Sequence, residues 1–154
     1  VTAADFPFVM IDYSEVEFLL AEAVERGFNV GGTAATHYEN AITASMEAWG
    51  IGSDEIAAYL AQPSVAYATA TGDWKAKIGT QKWFALYNRG FEAWTEVRRL
   101  DSPKLVAPST ARSAFPVRFT YPVSEQNLNK ANFTTAAGTV GGDKVDAKLF
   151  WDKF

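Results

Sequence analysis

His37 is the only histidine in a chain of 154 residues that contains no cysteine. Those two counts bound the chemistry. Disulfides, thiolate metal sites and a cysteine nucleophile are excluded, and a zinc site needing two imidazoles cannot be assembled. A Ser-His-Asp nucleophile would have to use His37, which falls early in a helical pattern, and no Gly-x-Ser-x-Gly turn exists to carry the serine. A partly exposed helical histidine is the plainer assignment. The 18 acidic residues offer many carboxylate pairs for glycoside hydrolysis, but most fall on polar helix faces or at helix starts, and no pair is singled out. Gly141-Gly142-Asp143 lacks the Gly-Lys-Ser/Thr of a phosphate loop and the acid spacing of a calcium loop, so it reads as a turn. Asn132-Phe133-Thr134 matches a glycosylation sequon, a triplet common by chance. No catalytic residue, metal or cofactor is expected.

What remains is aromatic surface, since 14% of residues are Phe, Trp or Tyr. Flat rings stack on the apolar faces of sugars while amides and acids bond the hydroxyls. Most of the five Trp residues belong in a core, the usual place for large rings. Tyr67 and Trp74 are the candidate ligand-binding residues, because they flank a loop of small and polar residues over 63–72.

The elements that must position these residues are mostly helical. Ser14 with Glu17 fits a capping box, and Val16, Leu19, Leu20, Ala23 and Val24 keep helical spacing until Arg26-Gly27 stops the run. A second helix starts near Thr33 or Thr36 and runs through Tyr38, Ala41, Ile42, Ser45, Met46 and Trp49 to Gly50. Together they predict an antiparallel hairpin of tetratricopeptide length over 13–50. One such unit is visible, and a lone repeat cannot bury its own face, so its neighbours are expected elsewhere. Ser53 is placed as the cap of a short helix ending before Pro63, and Asp73 as the cap of a helix carrying Trp74, Ile78, Trp83 and Leu86. Gly79 weakens that helix by about 1 kcal/mol relative to Ala. From Ile78 to Pro103 two helical segments meet near Gly90; Phe91, Trp94 and Val97 share one side of the second, a packing centre, and Arg98 and Arg99 suit its C-terminus.

Residues 1–12 read as an extended lead-in, with a possible edge strand through Phe6, Phe8 and Met10. After Pro103 the prolines preclude long helices. Phe115, Val117, Phe119 and Tyr121 alternate with polar residues and proline, which predicts an edge-type extended segment buried on one side. Ser124–Leu128 suits one helical turn; Asn127, Asn129 and Asn132 favour turns, and 138–144 a glycine-rich loop. The fold class expected is mostly α: a helical hairpin, further helices over 53–100, and an irregular, Pro-rich tail over 101–154 with little β.

Length points to a single domain. A net charge of −4 argues against a nucleic-acid surface, which needs clustered Lys and Arg. No signal peptide or membrane span is visible. An opening without Met suits a fragment or a processed product.

In order along the chain, Tyr13-Ser14-Glu15-Val16-Glu17-Phe18-Leu19-Leu20-Ala21-Glu22-Ala23 with Arg26-Gly27, then Tyr38 to Gly50, Gln81-Lys82-Trp83, Glu92-Ala93-Trp94, Arg98-Arg99 with Pro103, Phe115 to Pro122 with Glu125 and Asn129, and Trp151-Asp152 resemble the C-terminal part of SusD/RagB-like proteins, especially the SusD-like lipoprotein branch. Each motif is weak alone; together they are specific. Leu100-Asp101-Ser102 departs from the Thr-Gly usual after the arginine pair. The resemblance implies a mostly helical, tetratricopeptide-containing lipoprotein on the outer face of the outer membrane. It implies binding of a glycan or other nutrient, a SusC-like TonB-dependent transporter as partner, and no catalytic activity. It also implies a longer parent of which this is roughly the C-terminal third, mainly scaffold, with the N-terminal part of the same protein as a further partner and the lipid anchor outside this sequence. The rival readings are a free-standing protein-interaction module using the 14–49 hairpin and an α-helical carbohydrate-active enzyme.

Overall fold

A computed structural model describes residue 5 and residues 9–152. The strand expected through Phe6 and Phe8 lies outside the described residues. Seven helices occur among them: α1 Tyr13–Glu25, α2 Ala34–Ala48, α3 Ser53–Leu60, α4 Trp74–Ala85, α5 Gly90–Leu100, α6 Val123–Leu128 and α7 Lys130–Thr139. The mostly α expectation holds, with no strand among the described residues. The chain divides into two compact units, Val1–Pro103 and Lys104–Phe154.

In the first unit, α1 and α2 form the expected antiparallel hairpin. The cap of α1 is not Ser14: the Asp12 carboxylate accepts from the Glu15 amide at 2.8 Å, satisfying a donor the helix cannot bond itself. Ser14 instead donates to the Ala41 carbonyl at 2.7 Å inside the helix–helix contact. Thr33 caps α2 by accepting from the Thr36 amide at 3.1 Å. Asp73 caps α4 by accepting from the Ala76 amide at 2.9 Å. Ser53 opens α3 rather than capping it; Gly52 occupies that position without a side-chain bond.

The core joins Phe18 and Ala21 of α1, Tyr38, Ala41 and Ile42 of α2, Val65 from the loop after α3, and Ile78 of α4. Phe18, Ala21, Ala41 and Ile78 are completely buried; each large apolar side chain among them contributes about 1.5–3 kcal/mol. Tyr38 meets Phe18 edge-on at 6.2 Å, and its hydroxyl donates to the Val65 carbonyl at 2.7 Å, which draws the 61–72 loop onto the hairpin.

The cover for the hairpin comes from within the chain. α4 and α5 form a second antiparallel pair, with Lys82 opposite Glu96 and Gly79 opposite Ser102. α4 runs against α1: its start lies at the end of α1, where Trp74 meets Arg26, and Arg89 beyond its end reaches Asp12 and Glu15 at the start. The apolar side of α5 is graded: Val97 and Leu100 are buried, whereas Phe91 is 72% exposed.

In the second unit, α6 and α7 are followed by turns. The segment 115–122 forms no strand and bends at Val117 and Arg118. Phe115, Val117 and Tyr121 are half-buried, as the alternation expects, but Arg118 is buried and Phe119 exposed. Pro116 and Pro122 lack the donors a ladder needs. The backbone amides of Val117 and Arg118 share the Val145 carbonyl at 2.8 and 3.2 Å. Asp143 accepts from the Arg118 guanidinium at 2.9 Å and the Tyr121 amide at 3.1 Å. The Gly141-Gly142-Asp143 turn thus serves as an anchor. Of the asparagines expected in turns, Asn127 lies in α6 and Asn132 in α7, while Asn129 marks the break between them. Asn132 donates to Asn129 at 2.7 Å, and Thr134 and Thr135 bond back to the carbonyls of Lys130 and Ala131, so these polar side chains follow the helix instead of breaking it.

Candidate functional site

The polar residues best suited to chemistry are committed to holding helices together. Glu22, almost buried on α1, accepts from Arg26 Nε at 2.7 Å and from both terminal nitrogens of Arg99 on α5. Burial pushes its carboxyl up, but the two guanidiniums outweigh that and hold it below the usual carboxylate range. Burial likewise works against the Arg99 charge, and Glu22 and Glu96 more than restore it. Glu96 also faces the ammonium of Lys82 at 3.1 Å, outside good hydrogen-bond geometry. Arg89 spans Glu15 at 2.9 Å and Asp12 at 3.2 Å.

His37 sits between Glu17, 2.6 Å from Nδ1, and the Gly31 carbonyl, 2.9 Å from Nε2. Glu17, then Gly31, raises the imidazole pKa against a smaller opposing effect of burial. Burial pushes the Glu17 carboxyl up, and bonds from Tyr13, His37 and Asn40 bring it net below the usual range. A general acid needs the opposite shift. No cluster of three or more potential metal ligands exists among the described residues.

Tyr67 and Trp74 come to the same place, the C-terminal end of α1, and both pack against the core. Tyr67 donates to Glu25 at 2.6 Å, stands edge-on to Tyr38 at 5.0 Å and has Lys77 Nζ 5.1 Å from its ring. Arg26 lies 5.2 Å from the Trp74 ring centre and Lys75 Nζ 5.8 Å. Each ring therefore already has a cation beside it.

A concave surface lies elsewhere among the described residues, between the C-terminal half of α2, α3 and α4. It is a groove of about 270 Å³ lined by Ile42, Ser45, Met46, Trp49, Ile51, Tyr59, Gln81, Phe84 and Ala85. That is close to the lower bound of about 300 Å³ for small-molecule sites. Trp49 is 47% and Phe84 53% exposed. Tyr87 meets Trp49 edge-on at 5.6 Å beside the groove. The Tyr59 hydroxyl donates to Gln81 Oε1 at 2.9 Å, fixing the buried amide. The sequence pattern missed this groove because Trp49 was placed on the apolar side of the second helix, whereas it caps the end of α2; Gly50 and Gly52, which end α2 and turn the chain, were the available signal.

Such a set defines a helical scaffold with an aromatic-lined groove. The chain belongs to the SusD-like family described as starch-binding associating with outer membrane, which it matches over residues 1–122. Among solved structures, the SusD-like protein Bacteroidetes AC2a is 36% identical with a TM-score of 0.85, covering 98% of this chain and 31% of that one. A SusD homolog from Bacteroides thetaiotaomicron is 28% identical with a TM-score of 0.80, covering 100% and 40%. A chitin-binding SusD homolog from Flavobacterium johnsoniae is 29% identical with a TM-score of 0.74, covering 93% and 36%. The chain thus spans 31 to 40% of the length of these relatives. No curated protein sequence matches it. No helix among the described residues is long and apolar enough to cross a membrane.

Proposed function

We propose that this chain is the helical scaffold of a surface lipoprotein that binds a glycan or similar nutrient for a SusC-like, TonB-dependent transporter of the outer membrane. The family match over residues 1–122 carries the reading; the chitin-binding relative supports glycan as ligand class. Catalysis is not part of it: the buried carboxylates Glu17 and Glu22 are held charged by structural partners. Ligand contact from this part falls to Tyr67 and Trp74. The Trp49 groove, mostly apolar, is the seat of the remaining part of the same longer polypeptide. A second reading places a sugar ring in that groove, favoured by the exposed Trp49 and Tyr87 rings.

Glycan-array screening and calorimetry on the longer parent test the function. Binding without bond cleavage supports it; product release, or no glycan binding with the partner transporter absent from pull-downs, overturns it. Ser45→Cys, a groove position, labelled in the parent and read by mass on the peptide that carries it, separates the two occupants. A thiol shielded in the parent without glycan indicates polypeptide, and one shielded only on adding glycan indicates ligand. Trp74→Ala is expected to weaken glycan binding by about tenfold, or about 1.4 kcal/mol; an unchanged Kd moves the contact elsewhere.

A further inference from the structure

The loop joining α1 to α2 is held at its start by the Gly27 and Phe28 amides on the Val24 and Ala23 carbonyls, and beyond them by the His37 imidazole. His37 Nδ1 lies 2.6 Å from the Glu17 carboxylate and Nε2 lies 2.9 Å from the Gly31 carbonyl oxygen. Both partners are acceptors only, and a neutral imidazole donates from one nitrogen. Making both bonds at once requires the doubly protonated ring. The approach also depends on Gly32: a Cβ there would lie 2.7 Å from His37 Nε2. Gly31 and Gly32 both have positive φ, 79° and 69°, backbone that glycine adopts without strain.

We propose that His37 is a proton-operated latch on the 27–33 loop. The charged ring ties the loop to both helices of the hairpin. On losing a proton, the ring keeps its Nδ1–H for the charged Glu17, the stronger acceptor. Nε2 then presents a lone pair to the Gly31 oxygen, two acceptors face each other, and the loop is released. The groups facing the ring are Glu17 of α1, itself bonded by Tyr13 of α1 and Asn40 of α2, and the Gly31 carbonyl of the loop. Phe28 and Val30, 65% and 40% exposed, ride on this loop. The Phe28 amide stays on the Ala23 carbonyl, so the latch sets how the part of the loop from Val30 onward is presented, with protonation as the control. The inference stands independently of the ligand and transporter proposed above.

Nitrogen NMR of the ring in this chain tests it directly, because His37 is the sole histidine. The expected midpoint lies above 6.5, the ordinary imidazole value. The Gly31 and Gly32 amide signals should move with that same midpoint. Glu17→Gln should lower both midpoints together, and His37→Gln should abolish the pH response of the loop, with circular dichroism confirming that each variant folds. A ring midpoint at or below 6.5, a loop unresponsive across the ring titration, or a loop response that persists in His37→Gln would overturn the proposal.

Discussion

Arg99 closes on Glu22 with both terminal guanidinium nitrogens, one to each carboxylate oxygen, across 77 positions of sequence. The pair ties α5 to α1, and Arg99 also reaches Glu96 on its own helix. Removing one partner leaves the other charge half-desolvated. Arg99→Ala should therefore destabilise the chain by about 3 kcal/mol, the low end for a buried pair because the Arg99 side chain retains some exposure. Urea denaturation measures this; a loss below about 1 kcal/mol would place the pair with surface salt bridges instead.

Gly79 lies under the backbone that follows α5. A Cβ there would sit 2.9 Å from Ser102 Cβ and 3.0 Å from the Ser102 carbonyl oxygen. Helix propensity alone favours Gly79→Ala by about 1 kcal/mol. Backbone contact at that distance costs more, so the expected result is a net loss of about 1–3 kcal/mol. A stabilised variant in thermal melts would refute the close approach.

Ser14 and Asp12 test two different mechanisms at one helix start. Ser14→Ala removes the buried bond to the Ala41 carbonyl, which keeps its own helix bond, at a cost of about 0.5–1.5 kcal/mol. Asp12→Ala removes the cap bond to Glu15, about 1 kcal/mol, and one of the two carboxylates beside Arg89. Under a capping box at Ser14, the Ser14 loss would instead be accompanied by an indifferent Asp12→Ala.

Stability should depend on pH from both ends. His37 has a raised folded value, so its contribution is complete below 6.5 and disappears as pH rises through the folded value. Glu17 and Glu22 have lowered folded values, so their contributions are present above 4.5 and are lost as pH falls through them. The Tm profile is expected to fall on each side of a mildly acidic plateau. His37→Gln should flatten the alkaline shoulder alone; an unaltered shoulder would assign it to another group.

Helix positions were legible because they depend on near neighbours. Gly27 and Gly50, with φ of 85° and 78°, ended α1 and α2 as their place after each periodic run required, and Asp73 capped α4 as read. The choice between Asp12 and Ser14 was not legible, since both can cap locally and only the distant Ala41 carbonyl decides. α7 was hidden because asparagines signal turns until a helix gives their side chains partners one turn away. The exchange of burial between Arg118 and Phe119 turns on Asp143, which local alternation cannot weigh. For the candidate site, aromatic richness was visible, but which rings stay open depends on tertiary packing: Tyr67 and Trp74 acquired cationic neighbours, while Trp49 and Phe84 flank a concavity.

Lys82 is 1% exposed, with its ammonium against Glu96, whereas Lys104, Lys130 and Lys144 face solvent. Amine-reactive reagents will therefore tag the outer lysines at once and reach Lys82 only when α4 and α5 part. The mass increment on the peptide containing Lys82 becomes a clock for that separation, readable without adding a fluorophore or altering a single residue.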